Sequence, residues 1–287
     1  MSTLGGSAAL EGVMMKAPEA WALAVRLPDG SIHVEQHPEQ ALQLRYPWTR
    51  WPLLRGVVAL WEALTISYRA LNRSTELIEG NTAPRGLYYV SLSIALLLAL
   101  LIFIVLPAIA AGYLIAPGAH PILYNLLNGL LKAILLVGYL LLIGKLPEMR
   151  RFFRYHGAEH KTIAAYEEGL ELTVDNVRPQ PIYHPRCGTT FVAFVILASI
   201  VLYSFLPHQQ SLVWRLTGHL LTLPLVGALA FELLRFSSTH HNPVSRFLKN
   251  LGYRFQMLTV LEPDDEMIEV AIASTQAALR KDSVAVA

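Results

Sequence analysis

No Asp, Glu, Lys or Arg occurs from Gly86 to Leu131, and none from Cys187 to Trp214. Either run exceeds the about 20 apolar residues that a helix needs to cross a bilayer. In lipid a chain must satisfy its own backbone polar groups, so such runs fold as helices or as closed barrels. Soluble domains carry about a quarter charged residues. Here only 15% of 287 residues are charged and 54% are hydrophobic, with the deficit concentrated in the two runs. The mean hydropathy is +0.42. The sequence predicts an α-helical integral membrane protein with four transmembrane helices arranged as two hairpins.

Five parts follow along the chain. Residues 1–85 are polar enough to lie outside the bilayer as a small α+β region. In it Trp21–Leu27 and Ser31–Gln36 flank the turn tripeptide Pro28-Asp29-Gly30, which predicts a β-hairpin. A helix is expected from Pro52 to about Asn72, with Arg55, Glu62 and Arg69 on one face and Leu54, Val58, Trp61, Leu64 and Leu71 around the rest. That pattern suits a helix lying in the membrane surface and equally one facing a small domain core. The small residues Gly5, Gly6, Ala8, Ala9 and Gly12 around Glu11 suggest a tightly packed turn, with contact of Glu11 to a metal site as an alternative.

Residues 86–144 form the first hairpin, Leu87–Ala116 and Ile122–Gly144, turning at Pro117-Gly118-Ala119-His120-Pro121. Residues 145–188 are a polar segment. Residues 189–236 form the second hairpin, Thr189–Leu206 and Leu212–Leu234, turning at Pro207-His208-Gln209-Gln210. Residues 237–287 are a polar tail ending in an amphipathic helix, opened by Pro263 and Asp264, striped by Ile268, Ile272, Thr275 and Leu279, and closed by Arg280 and Lys281.

Positive charge sets the expected orientation. Eight Lys/Arg lie in the N-terminal part, seven in the central segment and six in the tail from Arg235, while both hairpin turns carry none. The positive-inside rule therefore places both termini and the segment 145–188 in the cytoplasm of a cell whose inner membrane holds the protein. Met1–Gly12 has no signal-peptide pattern, and one cysteine excludes an internal disulfide and fits a reducing compartment. The net charge of +2 selects no partner class, and nothing points to nucleic acid. The bilayer is the expected partner, with a second copy or another membrane protein left open.

The chemistry concentrates in the polar segment. In Tyr155-His-Gly-Ala-Glu-His-Lys161, His156 and His160 share a helix face, and Glu159 lies about 60° from His156 on the same side. The pattern H-x-x-E-H is that of inverted zinc peptidases, with histidine ligands and a glutamate base. A second cluster, His184-Pro-Arg-Cys-Gly188, adds His184 and Cys187. The expected metal ligands are His156, His160, His184 and Cys187, with zinc the expected ion, another divalent metal the alternative, and Glu159 the base. Lys161 and Arg186 are candidates for binding an anionic substrate group, though positive-inside charge explains them as well. His240 and His241 are a further ligand pair to consider. Glu232 is read as pairing with Arg235 at headgroup level, or as a distant carboxylate ligand. Lys132, near the middle of the second helix, is an intramembrane charge and so a functional candidate.

Three stretches carry a family resemblance: Gly5–Lys16, Arg154–Thr162 with Ala165-Tyr166-Glu167, and His184–Thr190. The tail from Leu261 to Ile272 joins them. Together they resemble the YqhQ-like family of bacterial membrane proteins (domain of unknown function 1385), a group of unknown function described as predicted metal-dependent enzymes. Where the family's first motif has Gln this chain has Ser7. The resemblance implies metal dependence and supplies no reaction.

These readings converge on a membrane-embedded zinc-dependent hydrolase acting on an amide, ester or phosphoester near the cytoplasmic membrane face. The rivals are a scaffold or regulator with a closed four-ligand structural zinc, and a small transporter using Lys132.

Overall fold

The computed structural model describes residues 4–80, 85–115, 120–205 and 212–280. The second hairpin turn at 207–210, most of the first at 117–119, and Lys281 lie outside the described residues.

The turn at Pro28-Asp29-Gly30 closes a hairpin as the sequence predicts. Gly30 has φ +87°, a conformation suited to glycine, and Asp29 Oδ1 accepts from the Ser31 amide at 2.9 Å. Strands β1 (Gly5–Ala9), β2 (Gly12–Lys16), β3 (Ala20–Arg26) and β4 (Ile32–Pro38) form one antiparallel sheet in that order. The segment read as a packed turn around Glu11 is thus two strands, with Leu10 and Glu11 as the tip between Ala9 and Gly12. Its Gly-, Ala- and Met-rich composition shows no polar alternation because β2 and β3 are covered on both faces. Val13, Met15, Ala22 and Ala24 pack to one side, and Met14, Trp21, Leu23 and Val25 to the other.

After two short turns, α1 (Leu42–Arg45) and a 3-10 turn at Pro47–Arg50, α2 (Leu54–Glu79) covers that second face with Ile66 and Ala70. Burying one such large apolar side chain stabilises by about 1.5–3 kcal/mol. The N-terminal half of α2 leans instead on α9 (Leu212–Thr239). A Cβ at Gly56 would lie 2.9 Å from Phe231 Cβ, so only glycine allows this approach. Beside it Arg55 grips Glu232 with two hydrogen bonds, Nε–Oε1 at 2.7 Å and Nη2–Oε2 at 2.5 Å. The partner of Glu232 is therefore Arg55, not Arg235 as the sequence suggested. A sequence separation of 177 residues hid it. Val57, Trp61, Leu64, Tyr68 and Leu71 remain exposed along α2.

Among the described residues three helices are long and apolar enough to cross a membrane: Ser93–Leu114, Pro121–Ile143 and Leu220–Thr239. The first joins α3 (Arg85–Leu100), a π-helical turn at Leu101–Val105 and α4 (Leu106–Leu114). Pro107 cannot donate a backbone bond and crowds the carbonyl four residues back, at Phe103, and the wider π turn accommodates it. The second is α5 (Pro121–Ile143). The expected fourth, α8 (Gly188–Ser204), is apolar but has 17 residues, about 25 Å at 1.5 Å per residue. It packs Phe194 and Ala198 against Val226 and Ala230 of α9.

The polar segment folds as α6 (Pro147–Glu167) and the short α7 (Val174–Val177). The tail contains α10 (Pro243–Gln256), which the sequence reading did not anticipate although Asn242 caps it through the Ser245 amide at 2.8 Å. Helix α11 (Asp265–Leu279) follows, capped by Asp264. It lies with α6 over the first face of the sheet. Its buried positions, among them Met267, Val270, Ala271 and Ser274, run wider than the stripe seen in the sequence.

Candidate metal centre

Every residue of α6 from Gly157 to Ile163 is buried. The sheet lies on one side, the segment 259–262 on another, and the loop before α8 on a third. Gly157 permits the second contact: a Cβ there would collide with the Leu261 carbonyl oxygen and lie 3.2 Å from Pro263 Cδ. The approach is pinned by Leu261 N–H donating to Phe153 O at 3.0 Å and Arg154 Nε donating to Glu262 O at 3.0 Å.

Within this packing His156 and His160 stand with ring centroids 4.5 Å apart. Each has its Nδ1 on a backbone carbonyl, Thr259 O at 3.0 Å for His156 and Ile182 O at 2.6 Å for His160. A carbonyl only accepts, so each Nδ1 carries the proton and each Nε2 presents a lone pair. The Sγ of Cys187, N-cap of α8, lies 3.3 Å from His156 Nε2 and accepts from the Thr189 amide at 3.4 Å. One ligand atom from each of His156, His160 and Cys187 falls within 4.8 Å of the others. A tetrahedral zinc with bonds of about 2.0–2.3 Å sets its ligand atoms about 3.3–3.6 Å apart. The His156–Cys187 pair already stands at that spacing, at 3.3 Å, and His160 lies within 4.8 Å of both, so the donor types suit the ion once His160 closes in.

Glu159 is buried beside the cluster, and its Oε2 has no hydrogen-bond partner among the described residues. Burial pushes its carboxyl up to about 7. Gly6 of β1 makes room for it, since a Cβ there would lie 2.9 Å from Glu159 Cγ.

The other predicted residues are placed differently. His184 neighbours His160, ring centroids 5.9 Å apart, but both its nitrogens are engaged. Nε2 meets Glu167 Oε2 at 3.2 Å, and Nδ1 accepts from the Arg186 amide at 3.4 Å. Burial lowers its pKa to about 4, so the ring is a neutral donor to Glu167. Burial of Glu167 opposes its ionisation, but the ion pair with Arg186 and the bond from His184 hold its carboxyl below the ordinary value. Arg186 is thereby taken up by Glu167 and Lys161 by Glu262 and Arg178 O. Both proposed substrate cations clamp loops. Glu11 pairs with Arg151 at the β1–β2 tip. His240 and His241 lie exposed at the α9–α10 turn, His240 stacked on Phe236.

Residues outside the motifs hold the loop in position. Gln256, fully buried, receives the His184 amide at 3.0 Å and donates to His184 O and Thr190 Oγ1, each at 2.8 Å. Nothing in local spacing marks it, nor the carbonyls of Thr259 and Ile182.

Lys132 points into a cavity of about 210 Å³ between α5, α8 and α9, its Nζ 5.4 Å from the Tyr203 ring centroid. An isolated charge at mid-bilayer costs roughly 2.5–3.5 kcal/mol on insertion scales. A cation–π contact returns about 0.5–2 kcal/mol. The ring alone does not offset the charge.

Among the described residues, fold and cluster define a helical protein with three membrane-length apolar helices, a small sheet domain, and a His-His-Cys group at the foot of a further apolar helix. The chain belongs to the family described as "Protein of unknown function (DUF1385)", which matches residues 51–281. It is 32% identical over 298 aligned residues to "Uncharacterized protein YqhQ" of Bacillus subtilis (strain 168), covering 98% of this chain and 93% of that protein. No solved structure gives a significant match.

Proposed function

We propose that the protein is a membrane-embedded, zinc-dependent hydrolase with its site at the cytoplasmic face. The observation that carries this reading is the pair of Nδ1–carbonyl bonds at 3.0 and 2.6 Å. They fix both imidazoles in the metal-binding tautomer, facing Cys187 Sγ. His156, His160 and Cys187 would hold the ion, which would supply a Lewis acid and a more acidic water. Glu159 takes the proton of the attacking water and returns it to the leaving group. The engagement of His184 with Glu167 and Arg186 leaves three protein ligands, which favours an open, catalytic site over a closed structural one. Because Cys187 caps an apolar helix, the substrate is an amide, ester or phosphoester held near the membrane surface.

The same reading has α8 complete a fourth crossing, at the short end of the about 17–25 residues a span requires. Both termini and the segment 145–188 then face the cytoplasm, in accord with the positive-inside rule. Cysteines placed at positions 118 and 209, in a chain lacking Cys187, are expected to label from outside intact cells. Labelling at position 170 instead would reverse the orientation.

Metal analysis of purified variants tests the site. His156→Ala, His160→Ala and Cys187→Ser should lose metal, whereas His184→Ala and Glu159→Gln should keep it. Full retention in both His156→Ala and His160→Ala would refute the site, and loss in Glu159→Gln would make Glu159 a ligand and not the base.

A further inference from the structure

The cavity holding Lys132 is independent of the metal cluster. Phe103 and Ile104 of the π turn, Leu136 of α5, Val192 of α8 and Leu223 of α9 wall it with hydrocarbon. Its polar lining is Lys132, Ser199 and Tyr203. Val192 and Leu223 are 40% and 39% exposed on the outer surface of the helices, so the cavity opens sideways, toward lipid. Lys132 lies midway along the 23-residue α5. Glu232 is the one acidic residue in the apolar helices, and Arg55 occupies both of its oxygens. Lys132 has no ion pair or hydrogen bond among the described residues. Among the described residues only the Tyr203 ring faces its charge, which leaves the place of a counter-ion open to a molecule from outside this chain.

We propose that this cavity binds the carboxyl end of a single-chain fatty acid drawn from the bilayer, with Lys132 as its counter-ion. One ammonium matches one monoanion, and apolar walls match a hydrocarbon chain. Depth selects the carboxyl over a phosphate headgroup. A carboxylic acid can reach the bilayer centre in its neutral, protonated form, while a phosphodiester stays charged and remains at the interface. The volume of about 210 Å³ corresponds to about seven waters at about 30 Å³ each. It holds the carboxyl and the first methylenes, and the rest of the chain lies over the rim between Val192 and Leu223.

The test uses the purified full-length protein in nanodiscs and a diazirine-bearing palmitic acid as photoprobe, with labelled peptides mapped by mass spectrometry. Labelling should fall on α5, α8 and α9 and be displaced by oleate. Oleyl alcohol, which has the same chain without the charge, should compete at least about tenfold more weakly, as expected for losing one charge-assisted contact. Lys132→Met should reduce labelling by a similar factor and Lys132→Arg should retain it. Ser199→Leu keeps the cation but fills the space, and should block labelling. Equal competition by oleyl alcohol, undiminished labelling of Lys132→Met, or displacement by phosphatidylglycerol as effective as by oleate would each overturn the proposal.

Discussion

Gly157→Ala is the smallest change that tests how the metal site is built. The new methyl group runs into the Leu261 carbonyl oxygen and meets Pro263 Cδ at 3.2 Å. The obstacle is backbone, fastened by Leu261 N–H to Phe153 O and Arg154 to Glu262 O, so it does not yield cheaply. Overpacking of this kind typically costs about 1–3 kcal/mol. Displacing the segment also strains two hydrogen bonds, that of Leu261 and the His156–Thr259 bond, each contributing about 1 kcal/mol. Against this, alanine gains about 0.8–1.0 kcal/mol of helix propensity over glycine. The net expectation is a destabilisation of about 2–4 kcal/mol. Because the carbonyl that orients His156 moves, metal affinity should fall by about 10–100-fold. The assay is thermal unfolding in detergent together with competitive metal titration. Gly138→Ala serves as the control, since a Cβ at Gly138 has no atom within 4 Å, and it should unfold no earlier than the parent. A Gly157→Ala protein as stable as the parent, with unchanged metal affinity, would refute the close contact of α6 with Leu261 and the ordering role given to Thr259.

Three further predictions concern the frame around the site. Arg55→Met should destabilise by about 1.5–3 kcal/mol, the range for hydrogen bonds to a charged group, and Arg55→Met with Glu232→Met together should recover most of that in a double-mutant cycle; additive effects would contradict the pair. Glu35 is held at about 2, mainly by Arg73, with burial opposing and His33 assisting. A depressed carboxylate stabilises fully above its unfolded value of about 4.3, and that stability is lost as pH falls from there through the folded value. The unfolding midpoint should therefore drop between about pH 4.3 and 2, and Arg73→Met should flatten that part of the profile; an unchanged slope would remove the Glu35–Arg73 link between β4 and α2. Trp48, Trp51 and Trp61 are 56%, 68% and 69% exposed. Their fluorescence in liposomes should be quenched more by lipids brominated near the headgroup than by lipids brominated near the chain end, and no quenching by either would place α2 away from the bilayer.

Local pattern accounts for what the sequence revealed. Among the described residues the charge-free runs correspond to apolar helices, because a helix satisfies its own backbone polar groups without polar side chains. The Pro28-Asp29-Gly30 turn identified β3 and β4, and the i, i+4 histidines share a face of α6. What stayed hidden was set by distant partners. Strands β1 and β2 lack alternation because helices cover both faces, and Met and Gly give little strand signal. Nearness in sequence pairs Glu232 with Arg235, although its partner, Arg55, comes from α2. The H-x-x-C spacing groups His184 with Cys187, yet Cys187 turns toward His156 while His184 turns toward Glu167. Spacing brings residues close without stating which atoms converge. The carbonyls that orient the histidines, from Thr259 and Ile182, leave no trace in side-chain identity at all.

The most direct measurement is zinc-edge X-ray absorption on tag-free protein loaded with one equivalent of zinc. The account predicts a first shell of one sulfur at about 2.3 Å and two imidazole nitrogens at about 2.0–2.1 Å, completed by a light oxygen donor. Cys187→Ser should remove the sulfur contribution, and His184→Ala should leave the shell unchanged. Failure to bind zinc stoichiometrically, or a shell without sulfur in the parent protein, would contradict the assignment of His156, His160 and Cys187 as the metal centre.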